Sequence, residues 1–436
     1  MQIKQTFKRV VSQAFVRHAA TLITGNAVGQ LIAFAAYLVL CRLYSPDDFG
    51  LFNLFLSIGG FLAFFSTCSF HYAIVLPAND KYGMACLRIC LCINLIFSML
   101  CTLVCGFGNN LIATQFGAPQ LARYLPWMGL FVCTYGLWST LNYWYIRTQK
   151  FRWIAGYQVG QATVTSAAKI SCAAYPTATT PHGGLITGTL IGQTLSVIIA
   201  AFGLRNHWLQ HVTTSRTTLL VCVRKYSNFL KFTFPKDLVN YLGGNLPILL
   251  LAAYFPIEMI GFYGMATALS MRPVNLLVNS FYQSLYQRCT ELFNQQRSLK
   301  FLFRLFGKGA VIAIPAFVVL YFVLPPLVQI LLGDGWQESA RLLQLMLPWL
   351  ACTLLCNPFD FLADIFSKQA RLLVFEICET LLRATALAVG IAQHSFEWAI
   401  GLYGAASCLI ILLRTAWYVR LILQYEKNII YETTAD

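Results

Sequence analysis

The chain has 436 residues, of which 58% are hydrophobic and 11% are charged, whereas about a quarter of the residues in an average soluble domain are charged. Its apolar residues come in blocks of about 20, the length that a helix needs to cross a hydrocarbon core. The composition therefore excludes an ordinary soluble domain and indicates an integral membrane protein. We interpret the net charge of +15 as a topology signal and an attraction to anionic headgroups, not as a nucleic-acid-binding surface.

Twelve blocks are predicted to be membrane-spanning helices. The first six cover approximately residues 20–41, 50–70, 84–106, 124–145, 153–175 and 184–204. The other six cover approximately residues 233–254, 257–282, 305–327, 339–364, 370–392 and 396–422. The sequence therefore predicts an all-α integral membrane protein with two six-helix lobes, residues 1–210 and 211–436, joined by a basic polar linker from Arg205 to Lys231.

Lysine and arginine fall unevenly on the two sides of this predicted topology. With both termini cytoplasmic, the outer side carries only Arg42, Arg123 and Arg341. Positive charge near a span resists translocation, so we expect this orientation. The stretch Met1–His18 does not have the pattern of a cleavable signal peptide, and we expect it to lie along the inner leaflet as a basic amphipathic helix.

The two halves of the chain resemble each other at an offset of roughly half its length. Tyr44–Phe52 follows the first predicted span and Tyr254–Tyr263 follows the seventh, and both contain a turn proline, an acidic residue and a glycine. The pair Gly25–Asn26 likewise recurs as Gly244–Asn245. An even number of spans in each repeat predicts two lobes related by a pseudo-two-fold axis along the membrane normal, with a substrate path between them.

Several short segments, taken in order, carry a family resemblance. They are Thr24–Asn26, Arg42–Gly50, Tyr72–Pro77, Phe229–Pro235, Asn245–Pro247, Gly261–Tyr263, Arg272–Pro273 and Gly333–Trp336. Together they resemble the polysaccharide-export branch of the multidrug/oligosaccharidyl-lipid/polysaccharide (MOP) exporter superfamily, which includes the lipid-linked oligosaccharide flippases. Family members often place an arginine five residues before the proline of the eighth helix, where this chain has Ala268 and instead carries Arg272 one turn later.

The resemblance implies a MATE-like fold with alternating access. It implies that the chain moves an undecaprenyl-diphosphate-linked oligosaccharide, a repeat unit of an O-antigen, capsule or exopolysaccharide, across the bacterial inner membrane. Membrane lipids, and the polymerase and chain-length proteins of the same glycan pathway, are the partners that it suggests.

Charged and polar residues inside the predicted spans are the candidate site residues, because a charge at mid-membrane requires a partner or a wet cavity. The candidate cations for a diphosphate or acidic sugar are Arg272, Lys169, Arg88 and Arg383. The candidate polar contacts to sugar are Asn26, Gln30, Asn245 and Asn275, and the candidates for proton or sodium-ion coupling are Glu376, Glu379 and Asp237. Snorkelling of Lys169, interhelical hydrogen bonds of the amides and a structural ion pair on the eleventh helix are the competing interpretations.

Other functional classes fit the sequence less well. There is no GxxxxGK[ST] loop, which argues against an ATP-driven pump, and no other cofactor is predicted. A membrane-embedded glycan polymerase or ligase needs a larger outer loop than the longest predicted one, about residues 107–123. A MATE-type small-molecule exporter or a purely structural protein stays open, and the 15 cysteines are interpreted as small apolar filler rather than as disulfides or a metal site.

Overall fold

A computed structural model describes residues 2–174, 183–203 and 215–435 of the chain, and these residues are almost entirely helical. We number the twelve long helices in chain order. They are α1 Gln2–Leu43, α2 Pro46–Phe65, α3 Asp80–Phe107, α4 Met128–Arg147, α5 Phe151–Ala174, α6 Gly184–Phe202, α7 Phe234–Leu251, α8 Ile257–Asn294, α9 Phe301–Leu332, α10 Gln337–Cys356, α11 Gln369–Ala392 and α12 Phe396–Ala435. Each predicted span coincides with one of these helices, so the all-α fold class is confirmed.

Seven of the helical segments in the described part of the chain are long and apolar enough to cross a membrane, in α1, α2, α3, α6, α9, α10 and α12. The protein is therefore a multi-pass membrane protein. Helix α1 begins at Gln2, so the predicted amphipathic stretch and the first span form one continuous helix. Residues 205–214 of the predicted linker lie outside the described residues, and its remaining part contains a short helix, Arg216–Lys225.

Local sequence signals explain where α2 begins. Ser45 is its N-cap, and the Ser45 hydroxyl accepts a hydrogen bond from the Asp48 backbone amide while the Asp48 carboxylate accepts one from the Ser45 amide. Pro46 occupies the first turn, where its missing N–H costs nothing. This capping box is the acidic turn motif of the internal repeat, so the motif has a physical role in starting the helix.

Contacts divide the chain into two compact units, Met1–Glu258 and Met259–Asp436. The division lies after α7 rather than in the predicted linker because α7 packs on α2. Tyr241 on α7 donates its hydroxyl to the carbonyl oxygens of Leu56 and Ser57, at 3.3 and 3.1 Å. The lobe boundary near residue 210 stays a prediction.

In the first unit, α5 lies between α1 and α6, α3 packs on α4, and α2 contacts α4, α6 and α7. Gly25 lets α1 approach α5 closely, since a Cβ at this position would lie 2.5 Å from the Cβ of Ala155. Gly25 is thus a packing residue. In the second unit, α12 packs on α10 and α11, and α9 packs on α10. The Ser339 hydroxyl at the start of α10 donates to the Phe262 carbonyl of α8 at 3.1 Å.

Candidate functional site

The first unit contains a cavity of about 350 Å³ that we call the polar pocket. It lies between the segment that follows α2, the middle of α4 and the first turns of α7. Most of its lining residues carry a hydroxyl, amide, imidazole or carboxylate. The polar members are Thr67, Ser69, His71, Tyr72, Tyr135, Ser139, Asp237, Asn240 and Tyr241.

The segment after α2 is shaped by an unusual backbone and an arginine. Cys68 and Ser69 have φ values of 46° and 57°, in the left-handed region that L-residues rarely adopt. A short 3-10 helix, Phe70–Ile74, then carries two pocket residues. Arg147 at the end of α4 donates to the carbonyl oxygens of Ile74 and Pro77 at 3.1 and 2.6 Å, which holds this segment against α4. These residues overlap the Tyr72–Pro77 segment of the family resemblance.

Asp237, a predicted ion-coupling residue, is the carboxylate that lines the polar pocket. It is half-buried, and its Oδ2 accepts a hydrogen bond from the Ser69 hydroxyl at 3.0 Å. The five residues before α7, Phe229–Thr233, form a π-helical turn, and Pro235 stands in the first turn of α7. Single π turns inside helices often occur at functional sites.

His71 is a neutral member of the pocket. Its Nδ1 lies 2.8 Å from the Thr67 hydroxyl, and its ring packs against those of Tyr72 and Tyr143, with centroids 4.4 and 4.9 Å away. Burial lowers the pKa of His71, which lies between α2 and α3, to about 4. Asp237 is therefore the acidic member of a pocket that is otherwise lined mainly by hydrogen-bonding and aromatic side chains.

The structure places the predicted polar residue Asn245 one turn deeper on α7. Its Oδ1 accepts a hydrogen bond from the Ser57 hydroxyl of α2 at 3.4 Å, and its Nδ2 donates to the Tyr241 carbonyl at 3.1 Å. Asn245 thus joins α7 to α2 beside the polar pocket. Asn26 and Gln30 share an exposed face of α1, where the Gln30 amide donates to Asn26 at 3.2 Å.

The two predicted cations of the first unit lie outside the polar pocket lining. Lys169 sits near the end of α5, with its ammonium 4.4 Å from the centroid of the Phe52 ring of α2. The Tyr44 hydroxyl donates to the Lys169 backbone carbonyl at 2.7 Å, so this part of α5 is fixed to the start of α2. Arg88 is half-buried in the third turn of α3.

In the second unit, Arg272 and Asn275 are exposed near the middle of α8. They stand three positions apart and therefore share a face of the helix. Pro273 lies between them in the helix interior, where it removes a backbone hydrogen bond.

The remaining predicted charges lead to a buried set of ion pairs in the second unit, which we call the charge network. Glu379 and Arg383 form the predicted i,i+4 ion pair on α11, and Arg383 also donates to the Ser407 hydroxyl at 2.7 Å. Arg414 on α12 lies 4.0 Å from Glu379 and 3.1 Å from Asp360. Two guanidinium groups and two carboxylates thus balance each other between α11, α12 and the turn after α10.

Sequence reasoning missed two members of this network, Arg414 and Asp360. The Arg414 side chain is only 7% exposed, and its Nη2 donates to the Asn357 side chain at 2.8 Å. Both residues lie inside predicted spans, so the cost of an intramembrane charge was the signal that could have identified them. Glu376 is exposed on α11 and makes none of these contacts.

Comparison with known proteins agrees with this architecture. A family model described as "Polysaccharide biosynthesis protein" matches residues 39–341, which is more than half of the chain. The chain belongs to this polysaccharide biosynthesis protein family. No curated protein matches the sequence of this chain with statistical significance.

Two solved structures share the fold of this polysaccharide biosynthesis protein. An inward-facing multidrug resistance MATE family transporter of the MOP superfamily is 13% identical, with a TM-score of 0.67 over 93% of this chain and 99% of its own. The lipid II flippase MurJ in an inward closed conformation is 12% identical, with a TM-score of 0.69 over 97% of this chain and 93% of its own. The fold is therefore the one that these MOP superfamily structures share, as the resemblance implied.

Proposed function

We propose that this protein is a flippase for an undecaprenyl-diphosphate-linked oligosaccharide and that it works by alternating access. The polar pocket is the observation that supports the proposal most directly. Polar groups inside a membrane-spanning helical unit are costly unless they pair or line a path. The pocket gathers nine of them around a cavity whose volume lies within the range of small-molecule sites.

The chemistry of the polar pocket suits a saccharide. Sugar hydroxyls both donate and accept hydrogen bonds, and Ser139 and Asn240 can do the same. Asp237 is a strong acceptor, and charge-assisted hydrogen bonds are roughly twice as strong as neutral ones. The rings of Tyr72, Tyr135 and Tyr241 offer apolar faces with a hydroxyl at one edge, which matches the mixed surface of a sugar ring.

A diphosphate needs fixed cations, and we infer that Arg272 is one of them. It stands exposed at mid-helix with Asn275 on the same face of α8. Its planar guanidinium can bind two phosphate oxygens at once. The Pro273 that follows it weakens the helix at this point, which is suited to a segment that bends during transport.

Energy coupling, in this proposal, resides at Asp237. A coupling carboxylate must exchange its ion during each cycle, so it needs partners that it can release. Asp237 is held by a serine hydroxyl, whereas Glu379 is held between Arg383 and Arg414 and is already neutralised. A proton or sodium ion binding at Asp237 would alter the charge of the pocket and thereby the affinity for the headgroup.

A second function, the export of organic cations, is favoured by one observation. Asp237 is the acidic residue of the polar pocket, and its carboxyl group stands among tyrosine rings that can contact a cation. The two functions differ in the headgroup that the pocket must hold. Both agree with the family and the fold, and a transport assay separates them.

The test is a headgroup-translocation assay in proteoliposomes with a fluorescent lipid-linked oligosaccharide and an impermeant reagent that reports its outer exposure. We expect wild-type protein to translocate the lipid-linked glycan and Asn240→Ala to reduce the rate about tenfold. Asn110→Ala, at an exposed asparagine in the segment after α3, is the matched control and should keep the wild-type rate. Extrusion of an organic cation such as ethidium without glycan translocation would overturn the flippase proposal and establish the exporter.

We further propose that the protein resides in a bacterial inner membrane with both termini cytoplasmic. The uneven distribution of lysine and arginine supports this orientation. A reporter enzyme that is active only outside the cytoplasm, fused after Asp436, should be inactive. An active fusion would reverse the assigned topology.

A further inference from the structure

A second cavity of the first unit, which we call the α5–α6 groove, has a different chemistry from the polar pocket. Its volume is about 360 Å³. The residues that define it are Arg152, Gly156, Tyr157, Gly160, Val164 and Ile199. It is lined mainly by apolar atoms, with one cation at the end where α5 begins.

The groove is open because α5 presents glycines there. A Cβ added at Gly156 or Gly160 would meet no other atom within 4 Å. Residues 156, 160 and 164 recur every four positions and therefore share one face of the helix. With a rise of about 1.5 Å per residue, they form a channel about 12 Å long.

A buried tyrosine of α5 forms part of the wall of this channel. Tyr157 is 8% exposed, and its ring lies parallel to that of Trp138 on α4, with an interplanar angle of 10°. The stacked rings therefore close the groove on the side of α4.

The mouth of the groove carries a cation. Arg152 is exposed in the first turn of α5 and makes no ion pair with any residue of the described ranges. A guanidinium is well suited to bind a phosphate with two parallel hydrogen bonds. Trp153 lies next to it and also lines the groove, and tryptophan is enriched at the level of lipid headgroups.

We propose that the α5–α6 groove binds an anionic membrane phospholipid. The phosphodiester lies on Arg152, and one acyl chain occupies the channel along Gly156, Gly160 and Val164. Arg152 lies four residues before Gly156, about 6 Å along the helix axis, so the cation stands at the end of the channel where a phospholipid headgroup would lie. The volume is at the lower end of ligand sites and takes one chain, while the second stays in the bilayer.

The groove is separate from the polar pocket. Tyr135 and Ser139 of α4 line the pocket, whereas Trp138, on another face of the same turn, packs on Tyr157. Helix α4 therefore stands between the two cavities. The lipid in the groove is for this reason a resident of the bilayer rather than the tail of the molecule whose headgroup occupies the polar pocket.

The test is lipid binding by the purified full-length protein, measured by native mass spectrometry with phosphatidylglycerol, phosphatidylcholine and undecaprenyl phosphate. We expect phosphatidylglycerol to bind best, Arg152→Ala to weaken it about tenfold, and Gly160→Leu, which fills the channel, to abolish it.

Arg224→Ala removes another exposed arginine, on the helix Arg216–Lys225, and is the matched control that should bind as wild type does. Equal binding of both phospholipids, or unchanged binding by Gly160→Leu, would overturn the proposal. Preferential binding of undecaprenyl phosphate would also overturn it, by assigning the groove to the carrier lipid.

Discussion

The Ser69 hydroxyl donates a hydrogen bond to the Asp237 carboxylate across 168 positions of the chain, with 3.0 Å between Oγ and Oδ2. Ser69 follows α2 and Asp237 stands on α7, so this bond closes one side of the polar pocket. The left-handed backbone of Ser69 is a conformation that costs roughly 1–3 kcal/mol and is concentrated at functional sites. Arg147 fixes the same segment from the other side.

Replacing Asp237 with asparagine tests the role of its charge. Asp237→Asn keeps the size of the side chain and one acceptor but removes the negative charge. We expect glycan translocation to fall about tenfold or more and to lose its response to a proton or sodium gradient, while membrane abundance stays unchanged. Asp47→Asn, at an exposed carboxylate on α2, is the control. A gradient response retained by Asp237→Asn would contradict coupling at this residue.

The pH dependence of stability should report on His71. Its folded pKa of about 4 lies below the unfolded value of about 6.5, so the unfolded chain takes up a proton first as the pH falls. The free energy of unfolding that depends on a neutral His71 is therefore at its full value above about pH 6.5, and it falls progressively as the pH decreases towards 4. We expect wild-type protein to lose about 1 to 2 kcal/mol between pH 7 and pH 5 in thermal unfolding, and His71→Gln to lose less. Identical pH profiles would show that His71 is not held neutral.

The charge network should stabilise the second unit. Arg414→Leu leaves Asp360 without its guanidinium partner, and breaking a buried pair typically costs about 3–5 kcal/mol. We expect a large drop in the unfolding temperature in detergent. Arg420→Leu, at an exposed arginine of the same helix, should change stability by about 0.5 kcal/mol or less. Equal effects of the two substitutions would argue against a buried network.

Arg272 should matter for transport and not for folding. Arg272→Ala is expected to abolish surface glycan in cells without lowering the amount of protein in the membrane, because the residue is exposed at mid-helix. Arg304→Ala, at an exposed arginine of α9, serves as the control. Normal glycan display by Arg272→Ala would remove this cation from the substrate path.

The sequence predicted the helices well because their signals are local. Apolar length located the twelve long helices, and the motif at Ser45, Pro46 and Asp48 marked the start of α2 through its capping bonds. The Glu379–Arg383 pair was also predictable, since residues four apart on a helix must face each other.

Features that depend on contacts between distant segments could not be read from the sequence. The chain divides after α7 because Tyr241 donates a hydrogen bond to the backbone of α2. The sequence around residue 241 contains no signal that predicts this contact. The polar pocket depends on a left-handed turn at Cys68 and Ser69, where no glycine marks the conformation. Asp360 and Arg414 become meaningful only when the turn after α10 meets α12.

The π turn at Phe229–Thr233 accommodates one more residue than an α-helical turn would, and each residue of a helix advances it by about 100°. The extra residue therefore sets the rotation of α7 about its own axis, and with it the direction of the Asp237 side chain. Shortening the turn by a single deletion would rotate the carboxylate away from Ser69 without altering any amino acid that lines the cavity. The rotation of α7 thus depends on the number of residues in the turn before it. An insertion or deletion in that turn would displace Asp237 more than a substitution there would.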